Sequence, residues 1–229
     1  MLLAFGGQPT VESQVANAAF SGTVLNESGK PFAGVPVNYY RLPRYNLPGK
    51  SSPVRATIAP GEPFVIGTLT SGLDGKYAVG GIPGGVYRVC VGAPSDAFVS
   101  PCKWSDGRQV FVLESGGNYV IKSVTVQTSV KVHFTISDPQ HVLPSGSEFN
   151  RIAIGVKTAQ GAFQPAVIQS RDQSGFEAAV PVPHGASVPI WLSANGVRFT
   201  DQGGRALGLG AQAVITPAAD VAYSWTVSR

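Results

Sequence analysis

The feature that most constrains this chain is its punctuation. Short runs of Val, Ile, Tyr and Phe that alternate with polar residues are separated repeatedly by Gly, Pro, Asn and Asp clusters. The 229 residues include 28 Gly and 18 Pro. Both residue types interrupt helices and suit turns. The single Met and the scarcity of Leu and Glu point the same way. Alternation with period two is the pattern of a half-buried strand, and Asp-Gly or Pro-Gly between two such runs marks a tight connection. The chain therefore reads as all-β.

The runs fall into two groups. The first contains Phe20–Leu25, Val35–Tyr40, Thr68–Thr70, Lys76–Val79, Gly85–Val91, Gln109–Leu113 and Tyr119–Val126. Turn signals between them include Asp74-Gly75, Pro83-Gly84-Gly85, Asp106-Gly107 and Gly116-Gly117-Asn118. The second contains Val130–Ile136, Arg151–Lys157, Gly175–Val180, Ala186–Leu192, Ala213–Ile215 and Val221–Val227. Each group suits a β-sandwich of about 100 residues. The expected organisation is a leader or signal-peptide remnant over residues 1–18, one sandwich over 19–127 and a second over 128–229. A strand is expected to run almost directly from one sandwich into the next, which makes the pair semi-rigid. Pro36 is expected on an edge strand or at a bulge.

Charged residues make up 13% of the chain and the formal net charge is +4. About 25% charged is usual for soluble domains, so the surface is rich in Ser, Thr, Gln, Asn and Gly. There is no dense Lys/Arg block, and nucleic acid is not an expected partner. No apolar run approaches the ~18 residues that span a bilayer as a helix. Cys90 and Cys102 are the two cysteines. With no Cys/His cluster around them they suggest one disulfide rather than a zinc site, worth roughly 3 kcal/mol in the chain-entropy model. Such a bond needs an oxidising compartment, so the expected location is secreted, periplasmic or on the cell surface.

Four motifs occur in order in the first group. They are Gly22-Thr23-Val24, then Gly29-Lys30-Pro31 followed by Ala33-Gly34-Val35-Pro36-Val37. After these come Thr70 with Asp74-Gly75-Lys76-Tyr77, and Ile82-Pro83-Gly84-Gly85-Val86-Tyr87-Arg88-Val89. Together they resemble the carboxypeptidase regulatory-like (prealbumin-like, transthyretin-like) β-sandwich family over residues 20–126, with the motifs themselves in 20–91. The resemblance extends to Cys90 and Pro101-Cys102-Lys103-Trp104. It implies a loop stapled to its strand, with Trp104 packed nearby. Related collagen-adhesin-type modules form a Lys–Asn isopeptide bond from a lysine in the first strand; Phe20–Leu25 has none, so none is expected here. The second group resembles a generic immunoglobulin-like sandwich.

Catalytic signatures are absent from the sequence. His133, His141 and His184 form no chelating pair, there is no G-x-S-x-G elbow, and no phosphate-binding loop occurs. Asp138 and Glu148 read as loop charges, Asp96 and Asp106 as turn residues. No cofactor or metal is expected, and the chain reads as a non-enzyme. Residues 41–66 stand apart, with five prolines and the basic residues Arg41, Arg44, Lys50 and Arg55. Tyr39, Tyr40 and Tyr45 flank this segment. Adjacent on a strand, Tyr39 and Tyr40 face opposite sides. The candidate binding residues are Tyr39, Tyr40, Arg41, Arg44, Tyr45, Arg55 and Trp104, toward a protein or glycan of the cell envelope. The leading expectation is a non-catalytic structural or interaction module, in adhesion or assembly at the envelope. The alternatives are a carbohydrate-binding accessory protein, which needs an exposed aromatic platform and is supported by a solvent-exposed Trp104 or Tyr45, or a fragment of a larger receptor or peptidase.

Overall fold

The computed structural model describes residues 17–42, 66–105, 107–143 and 152–229. In chain order the elements are β1 (Ala18–Leu25), β2 (Pro36–Leu42), β3 (Ile66–Thr70), β4 (Lys76–Ile82), β5 (Gly85–Val91) and β6 (Phe98–Val99). A single helical turn, α1 (Pro101–Trp104), precedes β7 (Arg108–Leu113), β8 (Asn118–Val120) and β9 (Val124–Thr125). The remainder is β10 (Gln127–Ser137), β11 (Ile152–Lys157), β12 (Phe163–Pro165), β13 (Val167–Asp172), β14 (Gly175–Pro183), β15 (Val188–Ala194), β16 (Arg198–Asp201), β17 (Ala206–Leu207), β18 (Gly210–Ile215) and β19 (Val221–Ser228).

Burial alternates strictly along β1, as its period-two sequence requires. Its inward residues Phe20 and Val24 meet Val37, Tyr87, Val89 and Phe111 from the facing sheet. One sheet of this sandwich is ordered β4-β1-β8, with β9 also on β1; the other is β3-β2-β5-β7. Phe20 sits edge-on to Tyr39 at 5.4 Å and to Phe111 at 5.6 Å between ring centres. The Tyr87 hydroxyl donates to the carbonyl of Pro83 at 2.7 Å, so this buried ring keeps its polar end satisfied.

Two of the sequence motifs meet here. Gly22 pairs with Tyr77 across β1 and β4. A Cβ at position 22 would lie 2.3 Å from the Tyr77 hydroxyl oxygen and 2.4 Å from Cζ. Only glycine leaves room for the ring. The Asp74-Gly75 turn uses a φ of +71° at Gly75, the left-handed geometry that glycine adopts without penalty.

The second sandwich packs a sheet ordered β13-β14-β10-β19-β16-β17 on one ordered β12-β11-β15-β18. Val132, Phe134 and Ile136 of β10 enter its core with Val156, Ile190, Leu192, Phe199 and Trp225.

Two sequence expectations need correction. The run Tyr119–Val126 is two strands, because its two ladders on β1 differ in register. Ser21 pairs with Val120 and Val24 with Val124, so a three-residue step on β1 faces a four-residue step on its partner. Pro36 opens β2, a central strand between β3 and β5, where a strand's first position spares the missing N–H. The short elements β6, α1, β12, β13, β16 and β17 carry too little alternation to have been anticipated.

Candidate functional site

The chain between β5 and β7 reaches from the first sandwich to the second, joined there by Glu27 of the β1–β2 turn. A disulfide joins Cys90 on β5 to Cys102 on α1, twelve residues apart. The Val91 amide donates to the Gly107 carbonyl at 2.9 Å, closing the loop at its base. Gly107 lies so close to α1 that a Cβ would come within 2.6 Å of the Cys102 nitrogen.

This stapled loop is fastened to the second sandwich at several points. β6 pairs antiparallel with the start of β10, Phe98 opposite Thr128 and Val99 opposite Gln127. The Ser129 amide donates to the Ala97 carbonyl at 2.9 Å, and the Ser129 hydroxyl to the Asp96 carbonyl at 2.8 Å. Gln164 Nε2 on β12 donates to the Lys103 carbonyl at 3.2 Å. Glu27, in the β1–β2 turn, accepts from the Thr128 amide at 3.0 Å. Val99 and Trp104 are 2% and 8% exposed and belong to the second sandwich's hydrophobic cluster. The first sandwich thus contributes side chains to the second one's core.

A groove of about 440 Å³ runs along this junction, within the ~300–1,000 Å³ usual for small-molecule sites. The first sandwich lines it with Ser100, Lys103 and Trp104, the second with Lys131, His133 and Gln169. Lys131 and His133 are two apart on β10 and share its outer face. Asp220 accepts from the Lys131 backbone amide at 2.7 Å and lies 3.7 Å from His133 Nε2. That amide, with smaller help from His133 and the Lys131 charge, holds the Asp220 carboxyl below its ordinary range. Among the described residues neither the Lys103 nor the Lys131 ammonium has an ion-pair partner. Asp96 also lines the groove.

The residues expected to bind a ligand are scattered. Tyr39 turns inward onto Phe20. Tyr40 faces out, accepts a hydrogen bond from Arg88, and lies under that guanidinium at 5.2 Å. Arg41 is 6% exposed and donates to the Gly84 carbonyl at 2.6 Å. A Cβ at Gly85 would be 2.4 Å from its Nε, so Arg41 is built into the sandwich rather than offered to a ligand. Trp104 is 8% exposed, buried at the junction where it borders the groove, and does not stand in open solvent. Arg44, Tyr45 and Arg55 lie outside the described residues, as do Asp106, Glu148 and the leader over residues 1–16.

Other polar features have local explanations. Asp138, 2% exposed, accepts from the Val142 and Leu143 amides at 2.8 Å each and so orders its own turn. Lys157 sits 3.3 Å above the Trp191 ring on the outer face of the second sandwich. Among the described residues no three His, Cys, Asp or Glu side chains converge as a metal site, and no helix is long and apolar enough to cross a membrane. Sequence reading overlooked Lys103, Lys131 and Gln169, because no spacing in the chain brings residues near 103, 131 and 169 together.

No family model matches the chain, and no curated protein matches it in sequence. Solved structures match at low similarity. The Bacillus anthracis TIE protein is 13% identical over 93% of this chain, with a TM-score of 0.35. A Streptococcal ancillary pilin is 13% identical over 93%, also with a TM-score of 0.35. The minor pilin of Streptococcus agalactiae is 10% identical over 92% of this chain and 95% of its own, with a TM-score of 0.38. The chain spans 34% of the first of these and 63% of the second. Likeness of this order carries no inference about activity.

Proposed function

We propose that this chain is a non-catalytic structural and interaction module, secreted or displayed at the cell surface. Two sandwiches, dividing near residues 127 and 128, act as one semi-rigid unit. The observation that carries this reading is the stapled junction: a disulfide-closed loop of the first sandwich places Val99 and Trp104 in the core cluster of the second. A flexible linker would leave relative orientation free, whereas shared core and strand pairing hold it. The disulfide supports an oxidising location. The Gly22–Tyr77 and Asp74-Gly75 geometry gives physical sense to the motifs shared with the carboxypeptidase regulatory-like family, and membership of the first sandwich in that family is part of the same proposal. The half-buried Tyr40–Arg88 pair on the outer face of β2 and β5 and the groove are the surfaces we place first for partner contact.

Backbone NMR relaxation tests the mechanical part. In the oxidised protein the two sandwiches are expected to share one rotational correlation time. Two distinct times in the oxidised protein would overturn the reading.

A further inference from the structure

The junction groove draws polar groups from both sandwiches, and its lining has a definite chemical character. Two lysines without ion-pair partners among the described residues face it, against one carboxylate, Asp96, with His133 held beside Asp220. Beside the charges lie Ser100 and Gln169, and an apolar strip formed by Phe98, Val167 and Pro181. We propose that this groove binds an acidic saccharide, a sugar chain bearing carboxylates, with Lys103 of the first sandwich and Lys131 of the second supplying the cationic groups. The inference rests on the locked-junction reading, because the two lysines belong to different sandwiches and line one groove only while the junction is closed.

Three features favour a sugar over other anions. A small inorganic anion leaves the apolar strip unused. A pyranose ring, with hydroxyls around its rim and C–H groups on its faces, matches hydroxyl, amide and apolar lining together. A peptide adding to the neighbouring edge strand is disfavoured: β13 carries a register shift between Ile168 and Ser170, and the Gln169 side chain donates to the Val167 carbonyl at 3.1 Å. Irregularities of this kind block strand addition.

The test uses the oxidised full chain and three probes: tetragalacturonate, its methyl ester and tetraglutamate. Titration calorimetry is paired with amide shifts for residues 95–103, 131–133 and 169. The expected result is saturable binding of tetragalacturonate, with shifts at those amides and weak or no binding of the other two probes. Lys103→Gln with Lys131→Gln raises the dissociation constant about tenfold or more, as loss of charge-assisted hydrogen bonds predicts. Lys30→Gln with Lys122→Gln removes the same charge elsewhere and leaves binding within about twofold. The inference is overturned by absence of binding, by equal loss in both double variants, or by equal binding of tetraglutamate. Correlation times on the same samples separate the two readings. Failure to bind with a shared time sinks this inference alone; two times sink the locked junction first.

Discussion

Removal of the Cys90–Cys102 bond perturbs the junction at its most defined point. The cross-link spans twelve residues. In the chain-entropy model its loss gives the unfolded state about 9.5 cal/mol/K, or about 3 kcal/mol at 25 °C. Cys90→Ala with Cys102→Ala avoids burying hydroxyls, since Cys102 is 8% exposed. Urea slopes of ~1–3 kcal/mol/M turn that loss into a fall in midpoint of about 1–3 M for the transition that involves the first sandwich. The assay is urea unfolding of both forms, followed by near-UV circular dichroism and by peak intensities assigned to each sandwich. Because the loop also carries Val99 and Trp104, the variant is further expected to separate the two sandwiches' correlation times. A midpoint change worth under 1 kcal/mol would refute the reasoning. So would a loss confined to the second sandwich.

Further perturbations probe other parts of the argument. The buried Tyr77 hydroxyl has no hydrogen-bond partner among the described residues, so Tyr77→Phe should leave stability unchanged or raise it by up to about 1 kcal/mol in chemical denaturation. Burial pushes the Tyr77 phenol up to about 12. Above pH 10 the unfolded chain releases this proton while the folded one retains it, so stability should fall between pH 10 and 12 by up to ~1.4 kcal/mol per pH unit from this group, a component that Tyr77→Phe removes. Gly22→Ala drives a methyl into the Tyr77 ring, contacting carbon as well as oxygen; thermal unfolding should show a loss of roughly 1–3 kcal/mol, and adding Tyr77→Phe should not restore it. Trp104→Ala should cost about 3–5 kcal/mol, as for large aromatics removed from a core, and should alter the amide spectra of both sandwiches.

The all-β architecture was legible because period-two alternation is a local property: β1, β5, β10 and β19 show it plainly, and Asp74-Gly75 specifies its own turn. The turn between β4 and β5 and the Cys90–Cys102 pairing were legible for similar reasons of proximity. The short strands were not, because two to four residues cannot display a period, and β13, six residues long, is exposed throughout and so shows none. Side-chain fate was harder still. Arg41 looks basic and available in the sequence, yet it is buried beside Gly85. Trp104 looks like a sugar platform, yet it fills the neighbouring sandwich.

Neighbours in the chain settle where strands alternate, where glycine must turn the backbone, and which two cysteines are close enough to bond. The pairing of the stapled loop with β10, and the presence of Lys103 and Lys131 in the lining of one groove, arise only on folding. The physical reason is that strand pairing is non-local. Register between β6 and β10 follows from which apolar faces can be buried together across the junction, and no pattern within either segment records its partner.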